Sequence, residues 1–230
     1  MVCYLSRAKI RVGYINSKGH ICNILYNFPI EPLDFTKYHQ VEACLNLLSP
    51  FNIKDFIRDI SFEIPKKYEI NALNFIKKIG LSPKERFVVF NISNNRIKSK
   101  WNIDNFIHLG KKLADLYKYK IIVTSIKDDE ENSIKICKKL GNHAFYYETK
   151  SILDFASITS KADFLIAGDG GAIHVGAAVK TKVIALFGET NETIFGPYGE
   201  GHIILKSPNG DVNSIPVDEV LRAFESCLKS

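Results

Sequence analysis

The chain has 230 residues, too many for a mini-domain stapled by disulfides and enough for one large α/β unit or one domain with part of another. A hydrophobic share of 46% with 24% charged residues excludes a disordered chain, and no apolar run approaches the ~18 residues of a membrane span. The net charge of +6 comes from scattered lysines and arginines mixed with acids, which fits either a solvated surface or a basic face for anionic partners; no nucleic-acid motif accompanies it.

Met1 to Arg7 has no apolar stretch of the signal-peptide kind, so a cytoplasmic protein is expected. Arg11-Val12-Gly13-Tyr14 reads as a strand and Gln40 to Leu48 as a helix. Ser61-Phe62-Glu63-Ile64-Pro65 reads as a strand end running into a linker. From residue 68 the rhythm is clearer. Ala72, Phe75, Ile76 and Ile79 fall at helical spacing, and Gly80 stands where the helix should stop. Residues 87–92 form an almost wholly apolar run, the pattern of a strand covered on both faces. Phe106, Ile107, Leu109, Leu113 and Leu116 predict a helix over 103–117, followed by a strand at 121–124. Ile134, Cys137 and Leu140 mark a helix over 130–140. A helix at 152–160, a strand at 164–168, a small-residue helix at 172–179 and a strand at 183–187 continue the alternation. A short strand at 203–205 and an amphipathic helix at 217–228 close it.

Strands alternating with helices predict βαβ units and a parallel, doubly wound α/β sheet. Right-handed crossovers then place all strand C-termini along one edge, where ligands of such sheets bind. Residues 1–65 do not share the rhythm and read as the remnant of a second domain; residues 66–230 read as the complete one. The cysteines Cys3, Cys22, Cys44, Cys137 and Cys227 are odd in number and widely spaced without a CxxC pair. They are expected to be buried and reduced, with no disulfide framework and no metal site.

The strongest local signal runs from Ala167 to Ala178: a strand end, a glycine turn and a helix start. Gly170 and Gly171 leave backbone N–H groups open at a helix N-terminus, where an anion meets unsatisfied donors and the positive end of the dipole. Asp169 can cap that helix or accept from a ligand hydroxyl. His174 lies one turn further in. The competing reading is an ordinary turn with Asp169 as N-cap and His174 in the core. A second candidate is the loop Asn91 to Trp101, with Ser93, the cations Arg96, Lys98 and Lys100, and the only tryptophan as an anchor at its base; the bland alternative is a solvated basic loop. A third is Gly188-Glu189-Thr190, where Thr190 can donate to a ligand oxygen. Asp128 to Glu131 suit a helix N-terminus without further function. The dinucleotide, phosphate-loop, zinc-protease and nucleophile-elbow motifs are all missing from the sequence.

Together, Arg11–Tyr14, His39-Gln40-Val41-Glu42, Asn91-Ile92-Ser93, Lys100-Trp101, Asp169-Gly170-Gly171-Ala172-Ile173-His174, Ala185-Leu186-Phe187-Gly188 and Gly196-Pro197-Tyr198-Gly199 resemble glycosyltransferase family 9, the ADP-heptose:lipopolysaccharide heptosyltransferases. The resemblance implies a GT-B fold of two Rossmann-like halves. Its C-terminal half takes the nucleotide-sugar donor, and the N-terminal half holds the acceptor and an aspartate general base. In that frame a standard domain of ~150 residues, of which about 65 remain, lacks roughly 85 or more, and no residue of this chain is nominated as the base. The resemblance assigns Asp169, Gly170, Gly171, His174, Ser93, Lys98, Lys100 and Thr190 to an ADP-heptose-like donor, with neither cofactor nor metal. It implies inverting transfer to a lipopolysaccharide or related glycolipid acceptor, in peripheral contact with the inner membrane. The alternative is a non-catalytic donor-binding remnant, or a half-enzyme completed by a separate N-terminal piece; self-association is expected to cover an open strand edge or apolar face of residues 1–65. Two positions depart from the family pattern: Gly170 stands where a Ser or Thr is usual, and Ser99, flanked by Lys98 and Lys100, where a lysine is usual.

Overall fold

A computed structural model describes residues 2–15, 24–53, 56–61, 63–82 and 85–229. The chain divides into two compact units, one of Met1–Asp59 with Thr193–Phe195, the other of Ile60–Glu192 with Gly196–Ser230.

The smaller unit contains α1 (Val2–Leu5), β1 (Val12–Tyr14), β2 (Phe28–Ile30) and α2 (Gln40–Asn46). β1 and β2 pair in parallel with Val12 opposite Phe28. The strand β2 was not anticipated, since Pro29 removes a ladder donor and argues against a strand. α2 starts at His39, whose Nδ1 accepts from the Val41 N–H at 3.1 Å. Among the described residues of Met1–Asp59 only Gly13 and Ala43 are buried, and Leu5, Ile24 and Ile57 are 69%, 72% and 90% exposed.

The larger unit is built from α3 (Lys66–Lys78), β3 (Phe87–Asn91), α4 (Ile103–Tyr117), β4 (Lys120–Ser125), α5 (Glu130–Leu140), β5 (Ala144–Glu148), α6 (Ile152–Thr159), β6 (Phe164–Gly168), α7 (Gly171–Ala178), β7 (Lys182–Phe187), α8 (Glu192–Phe195, whose last three residues group with the smaller unit), β8 (Ile203–Lys206) and α9 (Val217–Lys229). Its six strands are all parallel, in the order β5-β4-β3-β6-β7-β8. This is the expected doubly wound sheet. The near-continuous apolar strands follow from cover on both faces. Val88, Phe90, Ile121, Val123, Phe164, Ile166, Ile184 and Leu186 point to the side of α4, α5 and α9. Their alternates Phe87, Val89, Ile122, Leu165, Ala167, Val183 and Ala185 point to the side of α3, α6 and α7.

Several expectations are corrected. The described residues at 61 and 63–65 form no strand; Pro65, with φ −59° and ψ 136°, sits at the N-cap of α3, where a missing N–H costs nothing. Phe62 and Cys22 lie outside the described residues. Leu116 is 64% exposed because α4 turns Leu113 and Ala114, not Leu116, toward the sheet. α5 buries Ser133, Ile136 and Leu140 and leaves Ile134 on its outer side. β5, a sheet-edge strand that follows the 3-10 turn Gly141–His143, escaped the sequence reading because its burial does not alternate cleanly along its five residues. Of the cysteines, Cys227 is buried, Cys137 half-buried and Cys44 exposed. Burial pushes the Cys137 thiol up to about 12. α9 packs against α4, burying Val220, Leu221, Ala223 and Phe224.

Candidate functional site

The chain leaves β3 for β4 and β5 on one side, then crosses back to β6 on the other side of β3. The connections after β3 and β6 therefore diverge, and a crevice opens between the C-terminal ends of these two strands. In open parallel sheets this reversal is where ligands bind. The loop 92–100 and the turn 169–170 meet there.

Three glycines let the loops close. A Cβ on Gly168 would lie 2.0 Å from the Ser99 carbonyl oxygen, so the end of β6 passes directly against the β3 loop. A Cβ on Gly188 would lie 2.6 Å from the Gly210 carbonyl oxygen and 3.1 Å from that of Lys98. Gly176 draws α7 onto the sheet, since a Cβ there would meet Leu165 Cδ2 at 2.5 Å. Trp101 fixes the base of the loop: it is 3% exposed, its indole N–H donates to the Ile215 carbonyl at 3.2 Å, and it packs edge-on against Phe106. The anchor role expected of it is what the packing shows.

Asn94 staples loop to turn. Its Nδ2 donates to the Asp169 carbonyl, and its Oδ1 accepts from the Arg96 N–H at 3.0 Å. A Cβ at position 170 would sit 3.0 Å from Asn94 Nδ2. The amide thus takes the space that a hydroxyl-bearing side chain at 170 would use. Gly170 itself is extended (φ 172°) and occupies the N-cap of α7, with no side-chain cap bond. Asp169 is therefore not the cap of this helix. Gly170, as the N-cap residue, offers the first N–H groups of α7 no side-chain cap, and nothing lies within 4 Å of where a Gly171 Cβ would be. That open space over uncapped donors is an anion cradle in form.

Asp169 is 5% exposed, and Arg96 Nη1 lies 3.4 Å from its Oδ2. The same Nη1 donates to Thr190 Oγ1 at 2.7 Å. Lys98 pairs with Glu189, which raises the pKa of its amine. Lys100 Nζ donates to both Oδ atoms of Asp129 at 2.9 Å, and Asp129 is 6% exposed. Ser93 Oγ accepts from the Ile126 N–H at 2.9 Å, tying the β3 loop to the β4 loop. His174 is exposed on α7, not in the core. Asn95 to Ser99, Glu189 and Thr190 line a cavity of about 510 Å³.

Of the residues singled out from sequence, Asp169, Gly170, Gly171, Lys98 and Thr190 come together with Arg96 at this crevice. Ser93 and Lys100 stand on its β4 side, committed to Ile126 and Asp129. Sequence reasoning did not single out Asn94 as the staple, Arg96 as the bridge or Asp129 as a buried partner. These contacts span 29 to 94 residues, and no local pattern encodes them. Among the described residues no cluster of three or more His, Cys, Asp or Glu side chains is placed to hold a metal, and no helix is long and apolar enough to cross a membrane.

A doubly wound parallel sheet with a crevice at its switch point is the Rossmann-like class of α/β domain. The profile of glycosyltransferase family 9 (heptosyltransferase) matches residues 1–216, and the chain belongs to that family. Lipopolysaccharide heptosyltransferase 3 of Escherichia coli (strain K12) is 25% identical over 216 residues, an alignment covering 83% of this chain and 60% of that protein. This chain thus spans about three fifths of its curated relative. The fold recurs in the family 9 glycosyl transferase of Veillonella parvula DSM 2008, with a TM-score of 0.80 at 22% identity over 88% of this chain and 63% of that one. It recurs also in E. coli heptosyltransferase WaaC with ADP, with a TM-score of 0.69 at 18% identity over 89% of this chain and 61% of that one.

Proposed function

We propose that the crevice between β3 and β6 binds the diphosphate of a nucleotide sugar of the ADP-heptose kind. In this reading the domain is the donor-binding half of a heptosyltransferase that acts on a lipopolysaccharide or related glycolipid acceptor. The observation that carries the reading is the open space at Gly171 over the uncapped N-terminus of α7. There the roughly +0.5 charge of the helix end and the N–H groups of its first turn stabilise a diphosphate leaving group. Asp169 is placed to accept from a ligand hydroxyl, and His174, one turn along the same helix, to contact the sugar side. We assign residues 1–65 to the acceptor side and residues 66–230 to the donor side. The proposed location is the cytoplasm, in peripheral contact with the inner membrane that carries the acceptor.

The ADP complex of the similar WaaC structure supports the choice of nucleotide. The test is titration of the whole chain with ADP and an ADP-sugar. Ligand at 100-fold its Kd should add ~2.7 kcal/mol to stability. Asp169→Ala and His174→Ala should weaken ADP-sugar binding while melting close to the wild type. No protection by either ligand would remove the donor-site reading.

One observation favours a donor-binding half that needs completion. In Met1–Asp59 only Gly13 and Ala43 are buried among the described residues, and the two strands are three residues each. A two-stranded sheet with so little core does not hold a rigid acceptor site by itself. Donor binding without transfer, and transfer restored by a separately supplied N-terminal piece, is the expected pattern.

A further inference from the structure

The Asp169 carboxylate is nearly out of water, and among the described residues its one side-chain partner is Arg96. The contact is long, 3.4 Å, whereas the same Nη1 donates a 2.7 Å bond to Thr190 Oγ1. Arg96 therefore spans the mouth of the crevice, from the β3 loop past the end of β6 to the residues after β7. Its backbone is fixed by the Asn94 amide. Its side chain remains 66% exposed, and its Nε and Nη2 donate no hydrogen bond among the described residues. A guanidinium carries five N–H donors in a planar fork that matches two oxygens of one phosphate. The neighbouring amines are placed differently, Lys98 on Glu189 and Lys100 on Asp129.

We propose that Arg96 is the phosphate clamp of this crevice. Asp169 and Thr190 hold the guanidinium at the mouth; on binding it turns its unused donors onto the diphosphate. Its long contact to Asp169 gives way, and the carboxylate is released to accept from a ligand hydroxyl. No covalent step is involved. This rests on the nucleotide-sugar reading and adds to it the residue that counts phosphates.

The experiment is titration of the full chain, as wild type, Arg96→Gln and Arg96→Lys, with ADP, AMP and adenosine. Arg96→Gln should weaken ADP on the order of 10- to 100-fold, the range for lost hydrogen bonds to a charged group. AMP should lose less, and adenosine should bind as to the wild type. Arg96→Lys should recover part of the loss, because it keeps the charge and not the fork. An equal loss for all three ligands means that Arg96 only shapes the loop, and overturns the clamp. Unchanged ADP affinity in a folded Arg96→Gln chain overturns it while leaving the site reading intact. Absence of ADP binding by the wild type overturns both. If Arg96→Gln does not fold, Arg96→Lys decides: ADP binding equal to the wild type overturns the clamp.

Discussion

Gly168 offers the sharpest test of how the crevice is built. It is the last residue of β6, with no left-handed backbone to excuse its glycine, so the constraint on it is steric. A Cβ there would lie 2.0 Å from the Ser99 carbonyl oxygen, a backbone atom, where real contacts begin near 3.0 Å. In Gly168→Ala the loop or the strand end must retreat by about 1 Å in a close-packed surround. Ser99 is buried, its N–H donates to the Arg96 carbonyl at 3.0 Å, and Trp101 two residues on is locked by Ile215. Neither neighbour yields freely. Overpacking against such backbone should cost about 2–3 kcal/mol. For a domain of this size that is a fall in Tm of about 5–10 °C. Because the displaced loop carries Asn94 and Arg96, ADP affinity should fall with it. Thermal unfolding with and without ADP reads both effects. An alanine variant that melts and binds like the wild type would show that the loop does not close against β6, and the crevice described here would be wrong.

Gly171→Ala is the counterpart. With open space at its Cβ and a helical position, the variant should gain about 0.4–1 kcal/mol of stability and lose diphosphate affinity, read by urea unfolding and ADP titration. Lys100→Met leaves the buried Asp129 carboxylate without its bidentate partner and should cost about 2 kcal/mol, less than a fully buried pair because Lys100 is 36% exposed; Asp129→Asn in the same chain should restore most of it. His202 is held below its ordinary pKa, first by burial and then by Lys180, and its Nδ1 accepts from the Val183 N–H. A depressed histidine contributes stability that is present above pH 6.5 and lost as pH falls through its folded value. Stability should therefore drop as pH falls below about 6.5, and less steeply in His202→Leu. With Cys3 and Cys22 changed to serine, a maleimide should label Cys44 well before Cys137, whose thiol is half-buried with its pKa pushed to about 12.

The paired cations of the crevice bear on specificity. Three basic side chains stand in the β3 loop, yet each faces a carboxylate: Arg96 meets Asp169, Lys98 meets Glu189 and Lys100 meets Asp129. In the proposed reading, a ligand phosphate exchanges with an internal acid instead of filling an unopposed positive site. Such exchange makes binding selective for geometry over charge alone, because a misplaced anion does not compensate the acid that it displaces.

The rhythm of the larger unit was readable from local pattern alone. Apolar runs such as 87–91 and 164–168, the helical stripe of Ala72, Phe75, Ile76 and Ile79 and the glycine turn after Gly168 were all legible. These signals arise between residues a few positions apart, through side-chain periodicity and backbone sterics. The small residues of 172–179 likewise read as a helix, and its close approach to the sheet at Gly176 came from the packing. Which loops meet depends on how the strands are ordered in the sheet. That β3 lies between β4 and β6, that Asn94 fills the place beside Gly170, and that Arg96 reaches Thr190 across 94 residues all follow from the crossover from β5 back to β6. The same holds for the edge strand β5, whose pairing with β4 comes from the sheet and not from its own pattern. Local sequence sets how each segment folds. The site is made where segments distant in sequence converge, and that depends on the order in which the strands pack.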